Sequence, residues 1–189
     1  MASTPLFAGT AERSFRHDPR MRQELARLGR KDRKVSADGP AGTSLYWLLR
    51  SRRPKLAALT GRLAQADLLV VACALADCNT KLVVNARQHG STGASLAAAG
   101  LDWILRSGDC LPCLRQVRAY DCLIVGDADN DLSAWGQRLG QDALLLGLSR
   151  NASVIAKLSE RILRQRLAPE VSPLRDGRRT LLIANHEQG

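Results

Sequence analysis

The longest apolar run in the chain is Ala66–Ala76, A-D-L-L-V-V-A-C-A-L-A, 11 residues with a single acid near its start. It falls well short of the roughly 20 apolar residues a membrane helix needs. The Val-Val centre and the lack of polar alternation predict a central strand covered on both faces. A short run of this kind is also compatible with a buried helix segment. Asp77-Cys78-Asn79-Thr80 breaks the pattern with turn and N-cap residue types, and an Ala/Leu/Val-rich segment carrying Asn85, Arg87 and His89 leads to Gly90. In an α/β sheet, a strand, a polar turn and a polar-studded segment deliver side chains to the carboxyl edge, where ligands bind. The plainer reading makes these three residues the wet face of a surface helix.

Upstream, Met21, Leu25 and Leu28 at helical spacing predict a short amphipathic helix with Asp18 as N-cap, Pro19 at the first helical position and Gly29 as stop. R-K-D-R-K at 30–34 and the turn-rich stretch to Gly42 follow as a basic linker. Thr43 or Ser44 caps a helix through Leu49, broken at Pro54 and resuming to Leu63. Downstream, the pattern predicts a helix over Ser95–Gly100 and strands at Leu101–Arg106, Leu114–Val117, Tyr120–Val125, Ala143–Leu146 and Thr180–Ala184. Further helices are expected at Leu132–Leu139 and from Asn151 or Ser153 to Leu167. In the second, Ile155, Leu158, Ile162 and Leu163 face inward and Lys157, Arg161, Arg164 and Arg166 outward. Strands alternate with helices, so the class is α/β or α+β, a mixed sheet of about five strands with flanking helices. At 189 residues this implies one domain, residues 43–189, preceded by a basic arm and linker, residues 1–42.

Charge sharpens the picture because it is unevenly spread. Residues 1–66 hold 14 Lys/Arg against 5 Asp/Glu, residues 67–149 hold 6 against 9, and residues 150–189 hold 8 against 4. Basic ends on a chain of net charge +10 suit a phosphate-rich partner, nucleic acid before anionic membrane. Solubility alone would also account for them. Arg50, Arg52, Arg53, Lys55 and Arg62 sit beside Tyr46 and Trp47, and basic residues interleaved with aromatics can hold a phosphate backbone while stacking on a base. These five are the candidate DNA contacts. Trp47 itself is expected in the core rather than at a stacking platform.

The five cysteines and the lack of a basic n-region before an apolar h-region suggest free thiols in a reducing cytosol. Cys110-Leu-Pro-Cys113 has redox or half-zinc spacing, but no second C-x-x-C exists, so it reads as a turn. Gly126-Asp-Ala-Asp-Asn-Asp131 lacks the glycine and glutamate positions of a calcium loop and reads as a helix-capping turn. No Walker, G-x-G-x-x-G or G-x-S-x-G motif occurs. The remaining constellation is Asn85 and Arg87 after the apolar run, Asp121 opening its expected neighbour, and Gln141 at the mouth of the next strand. Arg87 would grip a phosphate, Asp121 would bind a divalent ion or position water, and Asn85 and Gln141 would orient the substrate.

The order apolar strand, N-x-R, helix ending in Gly, acid plus small residue before an apolar run, then L-G-Q-D-A resembles a family of phage, plasmid and bacterial proteins. Those show N-x-x-R, Glu-Ser and F-G-Q-[ND]-[AS] at these places. The matching residues are Asn85, Arg87, Asp121-Cys122 and Leu139–Ala143. Arg87 stands one position early and Asp-Cys replaces Glu-Ser. With its length and basic composition, the chain resembles the plasmid oncogenic-suppression (Osa-type) fertility-inhibition family. That resemblance implies a ParB/sulfiredoxin-like fold and an enzyme with DNase and ATPase activity using ATP and Mg2+ or another divalent cation. It also implies a role in blocking T-DNA or conjugative transfer through a type IV secretion system. Implied partners are DNA (T-DNA or a plasmid transfer intermediate) and a coupling protein or transported effector, with a cytoplasmic location or a peripheral one at the inner membrane. The alternatives are a non-enzymatic inhibitor of the secretion system and a simple DNA-binding module.

Overall fold

The computed structural model describes residues 19–31, 40–84, 92–101, 105–106, 119–127, 132, 136–176 and 179–186. In chain order its helices are α1 (Pro19–Lys31), α2 (Pro40–Arg52), α3 (Gln65–Asp77), α4 (Thr92–Ala98) and α5 (Ala152–Arg164). Its strands are β1 (Leu56–Thr60), β2 (Lys81–Val84), β3 (Leu105–Arg106), β4 (Tyr120–Val125), β5 (Leu139–Ser149), β6 (Ser172–Asp176) and β7 (Arg179–Asn185).

The seven strands form one mixed sheet in the order β3-β2-β1-β4-β5-β7-β6, against the five or so expected. β1 to β5 run parallel; β7 is antiparallel to both β5 and β6. Apolar side chains on both faces follow from helices covering both. Ala57, Leu59, Leu82, Val84, Cys122, Ile124, Leu144 and Leu146 share one core with α2, α3 and α4. Ala58, Val83, Leu123, Val125, Leu145 and Leu182 share the other with α5. α1 lies against α3 and α4.

The apolar run is the main correction. It is helix α3, not a strand, and every residue of Ala66–Ala76 is buried. Four alanines and three leucines in those 11 residues favour a helix, and burial on all sides erases the polar stripe that normally betrays one. Asp77–Thr80 is accordingly its stop. Asn79 adopts the left-handed conformation (φ 56°), and the Cys78, Asn79 and Thr80 N–H groups return to the carbonyls of Leu75 and Ala76. Interior strand β1, Leu-Ala-Ala-Leu-Thr, lies beside the middle strand β4, in a stretch expected to be helical. Alanine is a weak strand former, so two covered faces rather than propensity place this segment in the sheet.

Other expectations hold in outline. β4, β5 and β7 lie where the apolar runs predict, β5 being longer at both ends. α4 ends at Ala98, and Gly100 (φ 69°) makes the turn after it. Asn151 caps α5, its side chain accepting from the Ser153 N–H at 2.9 Å. Leu163, expected inward, is 46% exposed, whereas Ile155, Leu158 and Ile162 are buried. Of the helix expected over Leu132–Leu139, Leu132 and Gly136 are helical, and Leu139 already opens β5. Trp47, expected in the core, is 52% exposed, while its neighbour Tyr46 is buried. β6 has no counterpart in the sequence pattern; it forms the sheet edge and carries Pro173. The expected strand Leu114–Val117 and the Cys110/Cys113 pair lie outside the described residues. No helix among the described residues is long and apolar enough to cross a membrane.

Candidate functional site

Strand order reverses direction at β1 and β4, and in a doubly wound sheet the crevice beyond the carboxyl ends at that point is where ligands bind. Here the two turns leaving those strands are stitched together. Gly126 N–H donates to Thr60 O (2.8 Å), Arg62 N–H to Asp127 O (2.7 Å), and Asp127 N–H to Arg62 O (2.9 Å). Two glycines allow the approach. Gly61 has φ 74°, and a Cβ there would lie 2.7 Å from Gly126 O; one on Gly126 would lie 2.6 Å from the Arg62 carbonyl carbon.

Beside this seam opens a cavity of about 260 Å³ lined by Arg62, Leu63, Ala64, Asp67, Asp127, Leu148, Ser149 and Arg150. β1 supplies the first turn, α3 its N-terminal turn, β4 Asp127, and β5 its last residues. Asp67 is 5% exposed, and Arg62 and Arg150 are exposed. Asp127 Oδ1 is buried without a hydrogen-bond partner among the described residues. An acceptor buried in that way costs about 1–3 kcal/mol unless something donates to it. Ala64, at the N-cap of α3, gives no side-chain cap, so the positive end of the helix dipole faces the cavity rim uncapped by that residue. The wall therefore combines two carboxylates, two guanidiniums, a hydroxyl and a helix N-terminus.

The residues singled out in the sequence distribute differently. Asn85 and Arg87 lie outside the described residues. Asp121 and Gln141 sit near the amino ends of β4 and β5, across the sheet from the cavity. The Asp121 carboxylate accepts the N–H groups of Lys55 (2.8 Å) and Leu56 (3.1 Å), tying down the entry to β1. Gln141 is exposed. Arg50, Arg52, Arg53 and Lys55 come together where α2 runs into β1, while Arg62 lies at the far end of that strand. Among the described residues no group of three or more His, Cys, Asp or Glu is placed to hold a metal ion. Burial, with Asp121 adding its charge, pushes the Cys122 thiol well above its ordinary range, and Cys73, Cys78 and Cys122 are thiols outside any disulfide. Sequence reasoning missed Asp67 and read Asp127 only as a helix cap. The signal that could have found them is a glycine directly after each of two apolar segments, Gly61 and Gly126.

Comparison with protein-family models gives no match, and comparison with curated sequences gives none. Comparison with solved structures gives a consistent result. An O-methyltransferase from Bacillus cereus in complex with SAH superposes with a TM-score of 0.63 at 14% identity, covering 90% of this chain and 91% of that one. TomG, an O-methyltransferase of tomaymycin synthesis from Streptomyces achromogenes in complex with SAM, gives 0.63 at 17% identity with the same coverages. The SAM-dependent O-methyltransferase of Thermotoga maritima gives 0.66 at 10% identity, covering 87% and 72%. This likeness overturns the resemblance to oncogenic-suppression proteins and their ParB/sulfiredoxin-like fold. The DNase, ATPase and fertility-inhibition reading falls with it, as do ATP and Mg2+ as cofactors. The physical reason is the misread α3: with that run as a strand, the residues after it became a false ligand edge. The chain has the α/β fold of SAM-dependent O-methyltransferases.

Proposed function

We propose that the protein binds S-adenosylmethionine at the carboxyl edge of β1 and β4 and transfers its methyl group to a nucleophilic acceptor. The observation that carries this reading is the orphaned Asp127 Oδ1 on the wall of a cavity at the switch point of a sheet whose structural neighbours bind SAM or SAH. The donor set fits that molecule. Its sulfonium and α-ammonium are cationic, and Asp67 and Asp127 are carboxylates; its α-carboxylate is anionic, and Arg62, Arg150 and the α3 N-terminus are positive. The cavity holds part of such a ligand, since whole-ligand pockets run from about 300 to 1,000 Å³.

When bound, SAM supplies an electrophilic methyl group on sulfur. The chain's own residues bind and orient. Asp127 takes up a donor that no described residue supplies, the arginines fix the anionic end, and Leu63 and Leu148 keep water from the wall between them. The Arg62–Asp127 seam holds the two turns in register, so the charged groups are set before a ligand arrives.

Isothermal titration with SAH and SAM tests the proposal. The parent should bind both, and Asp127→Asn should weaken binding by about 10- to 100-fold, the worth of a hydrogen bond to a charged group. ATP with Mg2+ serves as the specificity control. A parent that binds neither SAH nor SAM at about 1 mM, an affinity worth only ~4 kcal/mol, overturns the reading.

A further inference from the structure

The sheet's opposite, amino edge carries a second surface that the methyl-transfer reading does not use. Trp47 is 52% exposed on α2. It is held rather than loose: its ring meets Tyr46 edge-on at 5.2 Å and 82°, and the Arg50 guanidinium stands 5.6 Å from its centroid. Arg50 is in turn fixed from below. It donates to Tyr46 Oη at 2.8 Å and pairs with Asp77 at 3.7 Å, and Tyr46 donates to that same buried carboxylate. An exposed indole pinned by a buried network is a rigid flat platform, one face of which already accepts a cation.

Exposed positive charge follows it along the chain. Arg52, Arg53 and Lys55 are all exposed, and Arg52 reaches Asn185 at 2.9 Å where β7 ends. Arg52 lies about 8 Å further along the helix axis than Trp47 and about 140° around it, so a bound strand would have to wrap the end of α2. Two acids of this edge are taken up from within, the Asp77 side chain wholly buried in the Tyr46–Arg50 network and Asp121 accepting two backbone N–H groups, while Asp142 at the start of β5 is exposed. A fixed aromatic face beside exposed cations matches one chemistry, an unpaired base stacked on the ring with its phosphates on the arginines. Duplex nucleic acid offers phosphates but hides its base faces.

We infer that this edge binds single-stranded nucleic acid through Trp47, Arg52, Arg53 and Lys55. The surface lies across the sheet from the cavity, so the inference stands whether or not SAM binds.

Fluorescence anisotropy with labelled oligo-dT and oligo-rU of about 20 nucleotides tests it, read from 50 to 200 mM salt on the cofactor-free full chain. Trp47→Ala should weaken binding about tenfold or more and leave the salt slope unchanged, with Trp47→Phe restoring most of the affinity. The triple variant R52Q/R53Q/K55Q should flatten the slope of log affinity against log salt by about one unit for each phosphate it no longer neutralises. The DNA and RNA strands should bind alike, because stacking and phosphate pairing ignore the 2′-hydroxyl. The inference is overturned if both variants bind like the parent, if a duplex of equal length binds as tightly with no dependence on Trp47, or if the parent binds phosphatidylserine vesicles and not the oligonucleotides.

Discussion

Replacing Gly126 by alanine should loosen the seam between the β1 and β4 turns. The added methyl would lie 2.6 Å from the Arg62 carbonyl carbon and 3.0 Å from its nitrogen, where ordinary contact needs 3.4 Å or more. Both obstacles are backbone, so no side chain can swing aside; the Arg62 turn must move by roughly 1 Å, a shift a close-packed interior resists. That displacement strains or breaks the two Arg62–Asp127 hydrogen bonds of 2.7 and 2.9 Å. At about 1 kcal/mol each, plus about 1–2 kcal/mol for partly buried groups left unpaired, the cost is about 3–4 kcal/mol. For a chain of this size that lowers Tm by about 6–16 °C. Thermal and urea melts by circular dichroism measure it. Gly140→Ala is the internal control, since its methyl would meet Tyr120 O at 3.4 Å and the Ala119 Cβ at 3.5 Å. It should stay within about 0.5 kcal/mol of the parent. A Gly126→Ala protein as stable as the Gly140→Ala protein refutes the argument that the seam depends on that glycine.

Two further expectations concern the interior. Leu75→Ala on α3, a side chain fully buried in the core, should cost about 2–5 kcal/mol in the same melts, whereas truncating the half-exposed Leu163 should cost far less. Cys122 predicts a pH effect. Its thiol is raised from an ordinary value of 9.0 by burial and by Asp121, so above about pH 9 the unfolded chain loses a proton that the folded chain keeps. The unfolded state then binds fewer protons, and stability should fall with rising pH by up to about 1.4 kcal/mol per unit, a component absent in Cys122→Ala. Parallel slopes for the two proteins between about pH 9 and 10.5 count against it. The same burial should leave Cys122 unalkylated by iodoacetamide until denaturant is added.

What could be read from the sequence follows from how each element is solvated. α5 has one wet and one dry face, so its helical period is plain, and Asn151 marks its start. β4 holds the short run Cys-Leu-Ile-Val and β5 the Leu-rich run that follows Asp142, both short of helical length. α3 has no wet face, and without one neither period survives in the sequence. β1 offers five residues, two of them alanine, with little to mark them as an interior strand. Exchanging those two elements moved the apparent ligand edge from the turns at Gly61 and Gly126 to the segment at Asn85. Asp127 was visible as an acid in a turn, but its orphaned oxygen is a property of the packed structure alone. Trp47 was misplaced because large aromatics are usually buried; here the adjacent Tyr46 takes the interior position and its hydroxyl finds Asp77.

The hairpin of β6 and β7 bears on how copies of the chain meet one another. A sheet with open rims invites further strands, including those of other copies, and growth of that kind ends in aggregates. One rim of the described sheet is β6, where Pro173 has no N–H to offer an incoming strand. Pro173 thus interrupts the β6 rim and weakens it as a template for a strand of another copy.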